Sequence, residues 1–199
     1  MSKGNRSRSH SGKIHDNSVR MSDMIQSWEE LSNEEVFRKY SRVIEKVMFR
    51  LPDGKETDFY LQTGHDPICC LPMTTDGNVI LARQYRPGPA EIVCELPGGS
   101  AKEGETPEVA MARELLEETG YQGTIRYVAT LLVDAYATSR RHAFVVTDCE
   151  KVAEPLLEDN GERVEAVLMT LSEFRAHLRS GQLTDINVGY LGLDFLGLL

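Results

Sequence analysis

Three carboxylates, Glu114, Glu117 and Glu118, crowd one short segment that carries its own start and stop signals. Thr106 is placed to cap a helix, Pro107 suits its first position and Glu108 its positive end. Gly120 suits the left-handed residue just past the last turn. At about 100° per residue, the three carboxylates share one face of that helix. The same geometry sets Val109, Ala112 and Leu116 on the opposite side, with Leu115 at its edge, as the stripe expected to meet a core. The arrangement is costly. Glu114 repels Glu117 and Glu118 at i+3 and i+4, by about 0.2–0.5 kcal/mol each. All three sit in the last turns, where the macrodipole favours cations, and Arg113 is the one basic residue on the helix. One reading is a solvated charged face. The other is a ligand set for a hard divalent cation, which would make the cluster favourable.

The 199 residues suit one domain with some decoration, and 41% hydrophobic content supplies a core. A net charge of −9 disfavours nonspecific binding to nucleic acid or to a membrane surface. An anionic substrate would then have to be held by metal and local arginines. Residues 1–20 are different: five basic residues and one acid give +4, and leave −13 on the remainder. This tail is expected to be disordered, and Met21 or Met24 is an alternative start. Cys69 and Cys70 lie in an apolar run and no CxxC pair occurs, which points to reduced, buried thiols. No apolar stretch is long enough to span a bilayer, and the N-terminus has no apolar signal core. A cytoplasmic protein is expected.

Along the chain, residues 43–49 and 58–61 read as strands joined by the turn Leu51-Pro-Asp-Gly54, an N-terminal hairpin. Further strands are expected at 67–71, 79–85, 91–96, 124–133, 142–147 and 164–169. A helix is expected over 171–180, with Ser172 near its start and Gly181 ending it, and a last apolar helix over 184–199. Strands, one helix, strands, then two helices fit a mixed sheet with helices on both faces.

From Gly99 to Tyr121 the residues match every fixed position of the pattern G-x5-E-x7-R-E-U-x-E-E-x-G-U, where U is bulky and apolar and Tyr121 supplies an aromatic version. In this the chain resembles the Nudix hydrolases, which cut nucleoside diphosphates linked to another moiety with divalent metal and water. The resemblance implies an α/β/α sandwich with a mixed sheet, here with the N-terminal β-hairpin added. It divides the chain into a basic tail (1–20), N-terminal strands that would dimerise (21–62) and the Nudix domain (63–199). It makes Glu114, Glu117 and Glu118 ligands of Mg²⁺, with Mn²⁺ as the second choice of ion. Gly98 or Gly99 would add a backbone carbonyl. Glu105 and Arg113 would be a supporting salt bridge.

Outside the box, "RQYRPG" and "ELPGG" are similar to the ADP-ribose pyrophosphatase branch. Relatives there are homodimers whose N-terminal strands cross to the partner, and aromatic residues of that region stack on adenine. Trp28 and Tyr60 are the candidates here, each equally readable as a core or dimer anchor, while Phe59 reads as core. Arg83 and Arg86 should point to opposite faces of a strand, so that one could hold a diphosphate. The resemblance favours Arg86. The general base would come from the acidic loop 157–163, Glu162 first and Glu158 second. The products from ADP-ribose would be AMP and ribose 5-phosphate.

One departure bears on the substrate. Residues 134–141 lack the proline and following acid of many ADP-ribose members. Arg140 and Arg141 stand there instead, readable as a solvated loop or as contacts to an extra phosphate or another sugar nucleotide. Rival readings are a Nudix hydrolase acting on another nucleoside diphosphate sugar or dinucleotide, a non-catalytic ADP-ribose sensor, and an RNA-processing enzyme using the basic tail. The intact carboxylates weigh against the sensor, and the acidic body against RNA.

Overall fold

The computed structural model describes residues 25–40, 42–156 and 163–199. The basic tail expected over 1–20, and Glu158 and Glu162, lie outside the described residues. Contact density divides the chain into two compact units. One combines the residues up to Asn33 with Val47–Phe59, and the other combines Glu34–Lys46 with Tyr60–Leu199.

Strands β1 (Glu29–Lys39), β2 (Arg42–Arg50) and β3 (Glu56–Thr63) form a three-stranded sheet in that order. β2 and β3 are the expected hairpin. Within the first unit, Trp28 lies 5.4 Å from Phe59 and 5.9 Å from Phe49, centroid to centroid. Arg50 there bridges Glu29 and Glu56.

The second unit holds β4 (Pro67–Thr74), β5 (Val79–Arg86), β6 (Glu91–Glu95), β7 (Gly98–Ser100), β8 (Tyr121–Leu132), β9 (Arg140–Lys151) and β10 (Val164–Met169). The sheet runs β10-β5-β4-β9-β8, with β6 beside β5 and β7 beside β4. In this sheet β4 and β9 are parallel, and the other strand pairs described are antiparallel. The helices are α1 (Pro107–Thr119), α2 (Leu171–Ser180) and α3 (Ile186–Phe195). Strand alternation sorts the core into two layers. Ile68, Cys70, Ile80, Phe144 and Val146 face Ala110, Met111 and Leu115 of α1. Cys69, Leu71, Val79, Leu81 and Val145 face Phe174 and Leu178 of α2 and Val188 and Leu193 of α3. This is the expected mixed sheet between helical layers. All four cysteines are free thiols, Cys94 half-buried and the others buried. Among the described residues no helix is long and apolar enough to cross a membrane.

β4 and β5 pair only at Met73 and Val79. Beyond that point β7 takes the place beside β4, through Pro67–Ser100, Ile68–Gly99 and Cys69–Gly98. The chain thus crosses from β6 to β7 through Leu96-Pro97 at the divergence of two strands, and delivers the glycine pair to α1.

The caps of α1 are those expected. Thr106 accepts the Val109 N–H, and Gly120 is left-handed at φ 75° with its N–H donated to the Leu116 carbonyl. A side chain at Gly120 would also stand 2.0 Å from the Ala153 carbonyl oxygen. The buried face, however, corrects the sequence reading. Ala110, Met111, Leu115 and Thr119 are buried, whereas Val109, Ala112 and Leu116 are exposed. The helix is rotated so that the carboxylate row adjoins the core row, because Glu118 reaches inward to the strand-to-helix crossing. Two smaller differences concern other elements. Thr170, not Ser172, caps α2, in a capping box with Glu173. Arg140 and Arg141 begin strand β9 and are not in a loop.

α3 packs closely because it presents glycine to β4: a Cβ on Gly192 would lie 2.7 and 2.8 Å from Leu71 side-chain carbons. Replacing Gly192 by valine should therefore lower stability by about 1–3 kcal/mol, against the small gain in helix propensity. Urea unfolding of the two proteins checks this, and an unchanged midpoint would mean that α3 is loosely seated.

Candidate active site

Arg113 organises the acidic segment. Its Nε and Nη2 donate to the two oxygens of Glu105, each at 2.9 Å, and Nη2 also donates to the Ser100 carbonyl at 3.1 Å. Its Nη1 donates to Glu114 Oε1 and Glu117 Oε2, both at 2.9 Å. Glu105 further accepts the Lys102 N–H. The guanidinium, first of these causes, holds the Glu105 carboxyl down at about 2, and Glu105 in turn raises Arg113 above its ordinary value. The salt bridge expected between Glu105 and Arg113 is therefore present in bidentate form.

Glu118 is set differently. Its Oε2 accepts the Gly98 N–H at 3.0 Å. Burial pushes its carboxyl up to about 8; the Gly98 bond and Arg86 oppose this, while the charges of Glu114 and Glu95 reinforce it. Glu114 lies against Gly99, where a Cβ would stand 2.5 Å from the carboxyl carbon. The absence of a side chain at Gly99 is what allows that approach. Glu114, Glu117, Glu118, Gly98 and Gly99 are thus brought together, as are Glu105 and Arg113.

Of the two arginines on β5, Arg86 belongs to this cluster and Arg83 does not. Arg86 Nε donates to Glu95 Oε2 at 2.5 Å, and Glu95 is only 4% exposed. Arg83 makes a surface pair with Glu165 at 3.4 Å. Tyr60 is exposed in the second unit, and Trp28 packs with Phe49 and Phe59 in the first. Sequence reasoning missed Glu95. The signal was present: alternation along β6 puts Glu95 on the inward side with Val93, opposite Ala82.

No three His, Cys, Asp or Glu side chains among the described residues converge as a ready cage. Arg113 draws Glu114 and Glu117 to itself, one guanidinium nitrogen standing between the two carboxylates. The donor chemistry nonetheless fits a hard cation. The oxygens are carboxylates, and one is buried beside like charges that a cation would relieve.

The NUDIX domain family matches this chain over residues 64–185. The ADP-ribose pyrophosphatase of Bacillus subtilis is 28% identical over 142 residues, covering 70% of this chain and 77% of that protein. The methanol dehydrogenase activator of Bacillus methanolicus is 25% identical over 150 residues, 72% of this chain and 81% of that one. A crystal structure of an ADP compounds hydrolase superposes with a TM-score of 0.73 at 22% identity, covering 88% of this chain and 99% of the other. That last likeness is one of fold.

The position of Glu118 has a consequence for pH. Its folded value, about 8, lies above the ordinary 4.5. Its contribution to stability is therefore whole below about 4.5 and is lost as pH rises through about 8. In EDTA, the wild type should lose stability relative to Glu118→Gln between pH 5 and pH 9, since the amide can still accept the Gly98 N–H. Urea midpoints across that range test it, and parallel profiles would mean that Glu118 is solvated.

Proposed function

Because this chain belongs to the Nudix family, we propose that it hydrolyses the diphosphate of a nucleoside diphosphate-linked compound, ADP-ribose before others, to AMP and ribose 5-phosphate. The observation that carries the reading is the buried Glu118 carboxyl held by the Gly98 N–H, with Glu114 packed on Gly99. A carboxylate kept out of water beside other carboxylates is poor structural material and good cation-binding material. The likeness to the ADP-ribose pyrophosphatase of Bacillus subtilis supports the choice of ADP-ribose.

Glu114, Glu117 and Glu118 would hold Mg²⁺, with the Gly98 or Gly99 carbonyl as a further donor. When bound, a divalent cation neutralises phosphate oxygens and makes water more acidic. The chain's own groups do the rest. Arg86, oriented by Glu95 through Nε, keeps its two terminal nitrogens for a phosphate. Glu105 and Arg113 fix the loop and the helix in register. A carboxylate takes the proton from the attacking water, and the acidic loop supplies Glu162 for this, then Glu158.

A homodimer belongs to the same reading. β1 is the edge of its sheet and is exposed along nearly all its length, Val36 and Phe37 included. An unpaired edge of that kind is a template for pairing with a second chain. Sedimentation should give twice the 22.3 kDa of one chain, and a monomer would remove this part of the proposal.

Activity is tested by nucleotide release from ADP-ribose, GDP-mannose, NADH and a diadenosine polyphosphate, with Mg²⁺ and with EDTA. ADP-ribose should be cut fastest, only with metal, and Glu118→Gln should fall at least about a hundredfold. Full activity of that variant would overturn the metal-site reading. Preference for another compound would move the substrate within the family.

A further inference from the structure

Asp185 stands at the N-cap of α3, and its side chain makes no capping hydrogen bond. An aspartate there ordinarily accepts a backbone N–H of the first turn and stabilises its helix by about 1 kcal/mol. Here Oδ1 lies 2.7 Å from Arg141 Nη1 instead. Both groups are shielded, with side chains 18% and 20% exposed. Burial raises the Asp185 carboxyl above its ordinary value, and the Arg141 charge opposes that. A part-buried ion pair adds little net stability by itself. The fold has thus given up both a cap and solvation to hold one guanidinium in one place.

The residue before it handles the other arginine. Thr184 Oγ1 donates to Glu95 Oε1 at 2.8 Å, while Glu95 Oε2 holds Arg86 Nε. The dipeptide Thr184-Asp185 therefore orients Arg86 through Glu95 and Arg141 directly. The two guanidinium groups are thus held by adjacent residues, Arg86 by way of Glu95 and Thr184, and Arg141 by Asp185. The register links Arg141 to the acidic helix: the next two residues of β9, His142 and Ala143, lie opposite Ile68 and Cys69, which on their other side pair with Gly99 and Gly98, and Gly98 donates to Glu118.

We propose that Asp185 is a positioning residue that sets Arg141 beside Arg86 as a second phosphate-binding guanidinium, so that the pair clamps a diphosphate. The proposal rests on the function given above. Two planar forks fit two phosphoryl groups, and neither has to be ordered when substrate arrives. Arg141 then contributes binding, and Asp185 acts only through it.

The test is steady-state hydrolysis of ADP-ribose by the full chain, wild type against Asp185→Asn, Arg141→Ala and Arg141→Lys, with thermal unfolding of each. Asparagine keeps the size of residue 185, and lysine keeps the charge opposite Asp185 while removing the fork. The expected result is KM about tenfold higher in all three with kcat within about twofold, at a nearly unchanged Tm. A purely structural pair would lower Tm and leave KM in place, and that outcome overturns the proposal. If Asp185→Asn does not fold, Arg141→Lys decides by the same split. If the wild type cuts no ADP-ribose, the function fails separately, and equilibrium binding of inorganic pyrophosphate takes over. About tenfold weaker binding by Arg141→Lys then supports the clamp, and equal binding refutes it.

Discussion

One guanidinium fixes the geometry of the acidic helix. Arg113 makes five hydrogen bonds, to both oxygens of Glu105, the Ser100 carbonyl, Glu114 and Glu117. These partners come from a strand end, a loop and two turns of α1. A planar fork with five donors can meet them together, whereas a lysine offers three donors from one point. Without Arg113, Glu114 and Glu117 would face each other near the end of a helix whose dipole already disfavours them. Arg113 is 17% exposed, so water only partly screens these attractions.

The same helix is held from below by Glu118. Its bond to Gly98 and the burial of Met111 and Leu115 demand the same rotation of α1. Core and site are therefore adjoining rows of one helix face. The divergence of β4 from β5 creates the place where this is feasible, because Gly98 and Gly99 enter there without side chains. Packing places the carboxylates, and the carboxylates set how the helix packs.

This coupling explains what was legible in the sequence. Caps, strand alternation and turn residues act locally, so the ends of α1, the hairpin and the succession of strands and helices along the chain could be read directly. The opposite faces of Arg83 and Arg86 followed from a period of two. The phase of α1 could not be read, because placing the apolar stripe opposite the acids assumes that acids face water. Here one acid faces a backbone N–H inside. Glu95, Thr184 and Asp185 escaped for another reason. Thr184 and Asp185 lie about ninety positions from Glu95 in sequence, and only the fold brings them together. Arg141 read as a loop residue because its partner, Asp185, lies beyond two further elements of the chain.

The charge balance of the cluster bears on what it can hold. Six carboxylates, Glu95, Glu105, Glu114, Glu117, Glu118 and Asp185, meet three guanidinium groups, Arg86, Arg113 and Arg141. Lys102 beside Glu117 adds a fourth positive charge, and burial keeps Glu118 largely neutral at pH 7. Each arginine already faces a carboxylate, so the cluster offers oriented donors without a positive surplus. A diphosphate entering alone would meet a balance that is neutral or negative. Added cations reverse that sign, and they do so where low exposure strengthens the attraction. The burial that makes Glu118 unfavourable as an isolated anion is the condition under which it would bind a cation well. An acidic site can therefore serve an anionic substrate, provided that cations and substrate are held together.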